Sequence, residues 1–284
     1  MGQAYIVAAA RTAGGRRGGR LSGWHPADLA AQVINSLLAR SGADPGLIED
    51  VIMGCVSQLG EQSTNVARNA VLASKLPESV PATSIDRQCG SSQQALHFAA
   101  QAVMSGSMDI VIAAGVESMS RVPMGLSHTL PEKNGFGQYV SHAIQSRYPG
   151  VQFSQFSGAE AMARKYDLSK DQLDEFALHS HQLAISATRA GKFSEEIVPV
   201  RAGSADGSVP GDLHSVDEVF AMRPLRLSSD TTRARVRRLA KVRTCISTCR
   251  NCCIERCKCA RMPSFDLQWP AVLGQTRPPR WLSR

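Results

Sequence analysis

The sequence predicts an α/β protein built on a mostly parallel sheet, and three observations carry that expectation. Short, continuous apolar runs recur along the first 200 residues: Tyr5–Ala10, Val51–Val56 and Asp109–Ala114. Between them lie longer stretches with apolar residues at helical spacing, and strands that alternate with helices build a parallel sheet covered on both faces. Breakers such as Gly42 and Pro45 fall between the two kinds of segment, where chain punctuation belongs.

Tyr5–Ala10 reads as a buried strand because it is apolar without alternation. Pro26 suits the first turn of a helix, and Ala30, Val33, Ile34, Leu37 and Leu38 then mark one helical face. Val51–Val56 is a second strand, and 65–74 is a helix. Ala82–Asp86 is a short strand after Pro81, and 90–105 is a helix. Asp109–Ala114 is a further strand. From 117 to 158 Pro, Gly, Ser and His interrupt the pattern, which predicts a long excursion from the core. Helices resume at Ala159, Met162, Ala163 and Tyr166. Ser169 and Gln172 then have capping-box spacing ahead of Leu173, Phe176 and Ala177. Gly191 closes that helix, and Glu196–Val200 reads as an edge strand. After Val219 no steady period remains, and the end from Gly274 to Trp281 shows neither helix nor strand logic.

Composition separates the same regions. The 284 residues carry a net charge of +8, but Leu227–Arg284 alone holds 13 Lys+Arg against 3 Asp+Glu, and residues 1–226 carry −2. A basic tail is therefore no evidence for nucleic-acid binding by the main body. Six of the eight cysteines crowd between Cys245 and Cys259. No apolar run is long enough to span a bilayer, and no basic segment precedes the short Tyr5–Ala10 run as in a secretory signal. These features predict a cytoplasmic protein with reduced thiols and no membrane partner.

Chemistry concentrates at Ser84–Ser92. A strand runs into a tight turn, and Cys89 sits where a helix begins. The helix N-terminus presents backbone N–H groups and positive potential, both of which favour a thiolate. Gln88, Gly90 and Ser91 form the turn that supports Cys89, with Gly90 permitting close approach. Such a thiolate suits acceptance of an acyl group. The plainer alternative is a small buried hydrophobe, since cysteine is often buried. His97 is no local base: on a helix it lies about 12 Å along the axis and about 80° round from Cys89. Its expected role is ordinary packing or a place on the surface. His25, His128, His142, His179, His181 and His214 fall in loops or exposed helices. Ala13–Gly19 lacks the Gly-Lys-Ser/Thr ending of a phosphate-binding loop and reads as a flexible loop.

The segment Gln88-Cys89-Gly90-Ser91-Ser92-Gln93-Gln94-Ala95 resembles the nucleophile motif of the thiolase family. Arg11-Thr12 with Gly14, Gly18, Gly19 and Leu21 resembles its N-terminal signature, with Ala13 where proline is common. Asn65–Arg68, Ala113–Ser120, Gly158–Glu160, Leu173–Ala177 and Glu196–Pro199 match further family segments in order. The resemblance implies a thiolase-like fold. Its parts would be a nucleophile-bearing half-domain at 1–118, a helical loop domain on the acyl and coenzyme A side at 119–226, and a divergent, poorly ordered tail at 227–284. It also implies acyl transfer between coenzyme A thioesters through an acyl-Cys89 intermediate, either 3-ketoacyl-CoA thiolysis or acetoacetyl-CoA formation. Acyl-CoA or acetyl-CoA would be the substrate, with no resident cofactor and no metal.

The family's second half supplies an asparagine motif, a Gly-His-Pro motif and a Cys-x-Gly motif. None of them can be placed here, and no Gly-His-Pro occurs. The resemblance thus predicts a chain without the C-terminal half and with impaired turnover. The family is homo-oligomeric; this chain would aggregate or pair with an intact thiolase, and an inactive interaction partner is the alternative function. Arg223 falls near a family arginine that meets the nucleotide of coenzyme A, and Ser154–Ser157 replaces a histidine–methionine pair common in the family. The tail cysteines have gaps that zinc could use, and the neighbouring arginines could meet nucleic acid. The lack of a hydrophobic framework there favours a reading-frame change or a truncation over both.

Overall fold

The computed structural model describes residues 2–203, 211–218 and 271–274. They form two compact units, with 2–127, 194–203, 211–218 and 271–274 in the first and 128–193 in the second. The chain rejoins the first unit at Ser194, where the segment after it pairs with residues near the N-terminus.

The first unit is organised by a five-stranded sheet. Its strands are β1 (Tyr5–Ala9), β3 (Asp50–Gly54), β4 (Ala82–Ile85), β5 (Ile110–Gly115) and β9 (Ala271–Gly274), in the spatial order β1-β9-β5-β3-β4. β3 runs parallel to both β4 and β5. β9 lies antiparallel between β1 and β5, so β1 is parallel to the other three. The mostly parallel sheet predicted from the alternation is present. β9 was not legible: its four residues fall in the tail beyond Val219. The rest of the tail, with Arg223 and all six clustered cysteines, lies outside the described residues.

Side chains leave each strand on alternate faces. Val51, Met53, Ile112 and Ala114 enter one core, where α1 (Pro26–Ser41) and α2 (Val66–Ala73) cover them. Ile52, Val111 and Ala113 enter a second core under α3 (Ser91–Ser105). α1 forms where its sequence dictates. Pro26 occupies the first turn, the His25 side chain accepts from Ala27 N, and Gly42 ends the helix at φ 64°, a conformation glycine adopts without a Cβ penalty. α2 is capped by Asn65, whose side chain accepts from Arg68 N and donates to the Ala82 carbonyl oxygen at 2.9 Å. One residue thus ties a helix start to β4.

Three expectations need correction. β1 is not a buried strand: Tyr5, Ile6 and Val7 are exposed, because an apolar run at one end of a sheet reveals nothing about what covers it. The Ala13–Gly19 segment is not a free loop. Gly14 N donates to Asp217 Oδ1 at 2.5 Å, Gly18 N donates to Ser120 Oγ at 2.9 Å, and Arg16 N donates to Glu218 Oε2 at 3.0 Å. His214 is buried rather than exposed, with Nε2 3.1 Å from the Ala13 carbonyl oxygen. Burial holds its pKa below the ordinary histidine value.

Apart from the Gly18–Ser120 bond, these contacts belong to a clamp at residues 211–218. Strand β2 (Arg11–Thr12) pairs in parallel with β6 (Ile197–Val198), and β7 (Val200–Arg201) pairs with β8 (Leu213–His214). Arg11, fully buried, meets Asp217 Oδ1 at 2.7 Å and Glu196 Oε1 at 2.6 Å. A buried guanidinium requires such partners.

The second unit carries the helices α5 (His142–Arg147), α6 (Gln155–Lys165) and α7 (Lys170–Arg189); α4 (Leu126–Lys133) begins at its boundary. The predicted capping box is formed: Ser169 and Gln172 exchange side-chain-to-backbone hydrogen bonds at the start of α7. Among these four helices only Ala177 is fully buried, as expected for an excursion from the core. No described helix is long and apolar enough to cross a membrane.

Candidate active site

The carboxyl ends of the three adjacent parallel strands are level. Gly54 is in register with Ile85 on one side and with Gly115 on the other. The end of parallel strands is where α/β folds place their chemistry. From Ile85 the chain crosses to α3 in five residues, and Cys89 is the fourth of them.

Local hydrogen bonds fix this turn. The buried Ser91 hydroxyl accepts from Arg87 N at 3.0 Å and donates to the Gln88 carbonyl oxygen at 2.6 Å. The same carbonyl accepts from Ser91 N, and Gly90 N donates to the Arg87 carbonyl oxygen. Gln88 N donates to Asp86 Oδ1 at 2.6 Å. Gln88 is held at φ 48°, a left-handed conformation that costs a non-glycine residue about 1–2 kcal/mol. The surrounding bonds over-determine it, as is usual at a functional site. Gly90 is the N-cap of α3 at φ −97°, so its contribution is not a left-handed backbone.

Cys89 is exposed, one residue before that cap. It lies at the positive, N-terminal end of a 15-residue helix. Cys55, at the end of β3, has the opposite environment. It is buried, and desolvation followed by the nearby Glu117 and Asp86 carboxylates pushes its thiol pKa well above the ordinary range. Cys55 stays a protonated core thiol, whereas Cys89 is open to solvent.

Sequence reasoning missed two residues that let the helix head sit here. A Cβ on Gly54 would collide with the backbone of Ser91 and Ser92, and one on Gly115 would lie 2.6 Å from Ser92 Cβ. The paired glycines admit the first turn of α3 against the strand ends. The signal was available: Met53-Gly54-Cys55 and Ala114-Gly115-Val116 each end an apolar strand on glycine, which marks close backbone approach. Glu117 was missed too. Its carboxylate accepts from Val56 N at 2.8 Å and Gln62 Nε2 at 3.0 Å, and Gln62 Oε1 accepts from Ser118 N at 2.6 Å. The loops after β3 and β5 are thereby locked together.

The structure thus brings Gln88, Cys89, Gly90 and Ser91 into one turn, as predicted. His97 is exposed on α3 and lies 2.9 Å from Gln93 Nε2 through its Nε2. Arg223, the residue assigned to coenzyme A, lies outside the described residues. Among the described residues no group of three His, Cys, Asp or Glu side chains could hold a metal ion.

The structure is an α/β fold that displays a thiol at a strand-to-helix turn, on the carboxyl edge of three adjacent parallel strands. Residues 4–224 match the family model described as thiolase, N-terminal domain, and the chain belongs to the thiolase family. It is 42% identical over 229 residues to the steroid 3-ketoacyl-CoA thiolase FadA6 of Mycobacterium tuberculosis, covering 79% of this chain and 56% of that protein. It is 43% identical over 222 residues to a 3-ketoacyl-CoA thiolase of Erwinia tasmaniensis, covering 78% and 54%. The chain spans about half the length of these curated relatives. The crystal structure of the Bacillus anthracis acetyl-CoA acetyltransferase superimposes with a TM-score of 0.69 at 27% identity, covering 97% of this chain and 66% of that one. The fold is thiolase-like.

Proposed function

We propose that this chain provides the acyl-accepting nucleophile of a thiolase-type acyl transfer between coenzyme A thioesters. The Cys89 thiolate attacks the thioester carbonyl, a tetrahedral intermediate forms, and coenzyme A leaves as its thiol once protonated. The acyl group remains on Cys89 as a new thioester. Either 3-ketoacyl-CoA thiolysis or acetoacetyl-CoA formation would pass through that acyl-enzyme. Acyl-CoA or acetyl-CoA is the substrate, and the step needs no resident cofactor. A reactive thiolate also fits a reducing, cytoplasmic setting.

The observation that carries this reading is the exposure of Cys89 at the head of α3, against the burial of Cys55. Incubation with acetyl-CoA, proteolysis and mass spectrometry tests it. An acetyl group on the Cys89 peptide, absent from the Cys55 peptide and from Cys89→Ser, is expected. Unmodified Cys89 in folded protein would end the proposal.

A further inference from the structure

We propose that Asp86 is a positioning residue for the nucleophile, holding Gln88 in the left-handed conformation from which Cys89 projects. This rests on the reading of Cys89 as the nucleophile and adds a residue to it.

The five-residue passage from β4 to α3 has one left-handed position, Gln88, at φ 48°. It immediately precedes Cys89, so its backbone angles set where the Cys89 side chain points. Glutamine has no intrinsic preference for that conformation. Asp86 supplies one. Its Oδ1 accepts from Gln88 N at 2.6 Å, and its Oδ2 lies 3.4 Å from Gln88 Nε2. An aspartate accepting from the backbone two residues on makes a local turn that mimics a backbone turn, and an ionised acceptor strengthens it. Ser91 grips the same residue from the far side through the Gln88 carbonyl oxygen. The two clamps have different chemistry. The serine is buried beneath the turn, whereas Asp86 is exposed and turns both carboxylate oxygens toward residue 88. Asp86 therefore adjusts the turn without being part of the core.

Charge and hydrogen bonding can be separated, because Asp86→Asn and Asp86→Ala remove the same charge and only the first keeps an acceptor. The readout is the rate constant for iodoacetamide labelling of Cys89, measured per peptide at a pH above the thiol titration, so that thiolate fraction drops out. Asp86→Asn is expected within about twofold of the parent, and Asp86→Ala to fall at least about fivefold, the scale of one lost hydrogen bond. Adding Gln88→Gly to Asp86→Ala should recover part of the loss, because glycine takes positive φ without penalty. If Asp86→Ala does not fold, Asp86→Gly carries the same expectation. Asp86→Ala labelling at the parental rate, or Asp86→Asn falling as far as Asp86→Ala, would overturn the proposal. Failure of the acyl-transfer reading looks different: the parent protein labels with iodoacetamide yet takes no acetyl group from acetyl-CoA.

Discussion

The two faces of the central sheet share the same strands and have different fates. On one face Val51, Met53, Ile112 and Ala114 meet α1 and α2, and nine residues of α1 are buried. On the other, α3 is the helix that covers Ile52, Val111 and Ala113 among the described residues. There the buried stripe is Ala95, Ala99 and Val103, with Leu96 and Ala100 half-buried beside it, while Phe98 and Met104 stay exposed. Small residues at four-residue spacing bring α3 close to the sheet, and its close seat carries Cys89 at the strand ends. The closed face holds the protein together, and the half-open face carries the Cys89 turn. Stability and chemistry are thus assigned to opposite sides of one sheet, and substitutions on the two sides should behave differently.

The largest effect on stability is expected on the closed face. Leu37 is fully buried in the middle of α1. Leu37→Ala should cost about 2–5 kcal/mol through lost burial and a residual cavity. Chemical denaturation measures this directly. A loss under about 1 kcal/mol would mean that α1 is not the stabilising cover of that face.

Next comes the contact that joins the sheet to the site. Gly54→Ala places a methyl group against the backbone of Ser91 and Ser92, which cannot rotate away as a side chain would. A cost of about 1–3 kcal/mol is expected from overpacking. Unlike Leu37→Ala, it should also slow Cys89 labelling in the fraction that remains folded, because the head of α3 must retreat. Equal labelling in Gly54→Ala and the parent would separate the nucleophile turn from the glycine seat and break the comparison at its centre.

Legibility in the sequence follows the range of the interactions. The turn at Cys89 was readable because its determinants lie within a few residues: strand, Gly90, Ser91, helix. The caps of α1 and α7 were readable for the same reason. Arg11 gave no sign that it would be buried, because its partner Asp217 is 206 residues away. His214 was misplaced on the same account, since only the return of residues 211–218 to Ala13 buries it. β1 and β9 show the limit from the other side. An apolar run declares a strand but not its cover, and β9 owes its place to β1 and β5 rather than to its own four residues.

The smallest expected effect is the sharpest test of the half-open face. Phe98 sits on α3 at 40% exposure, beside the buried stripe but not in it. Full burial of a phenylalanine would make its loss cost about 3–5 kcal/mol, whereas an exposed side chain removed from a helix surface changes stability by about 0.5 kcal/mol or less. Those two values are far enough apart for one denaturation curve to distinguish them. Phe98→Ala in this chain should fall at the low value and leave Cys89 labelling unchanged, because the helix is seated through Ala95, Ala99 and Val103. A loss on the scale of Leu37→Ala would show that the outer side of α3 is packed in solution, and the contrast between the two faces would then no longer hold.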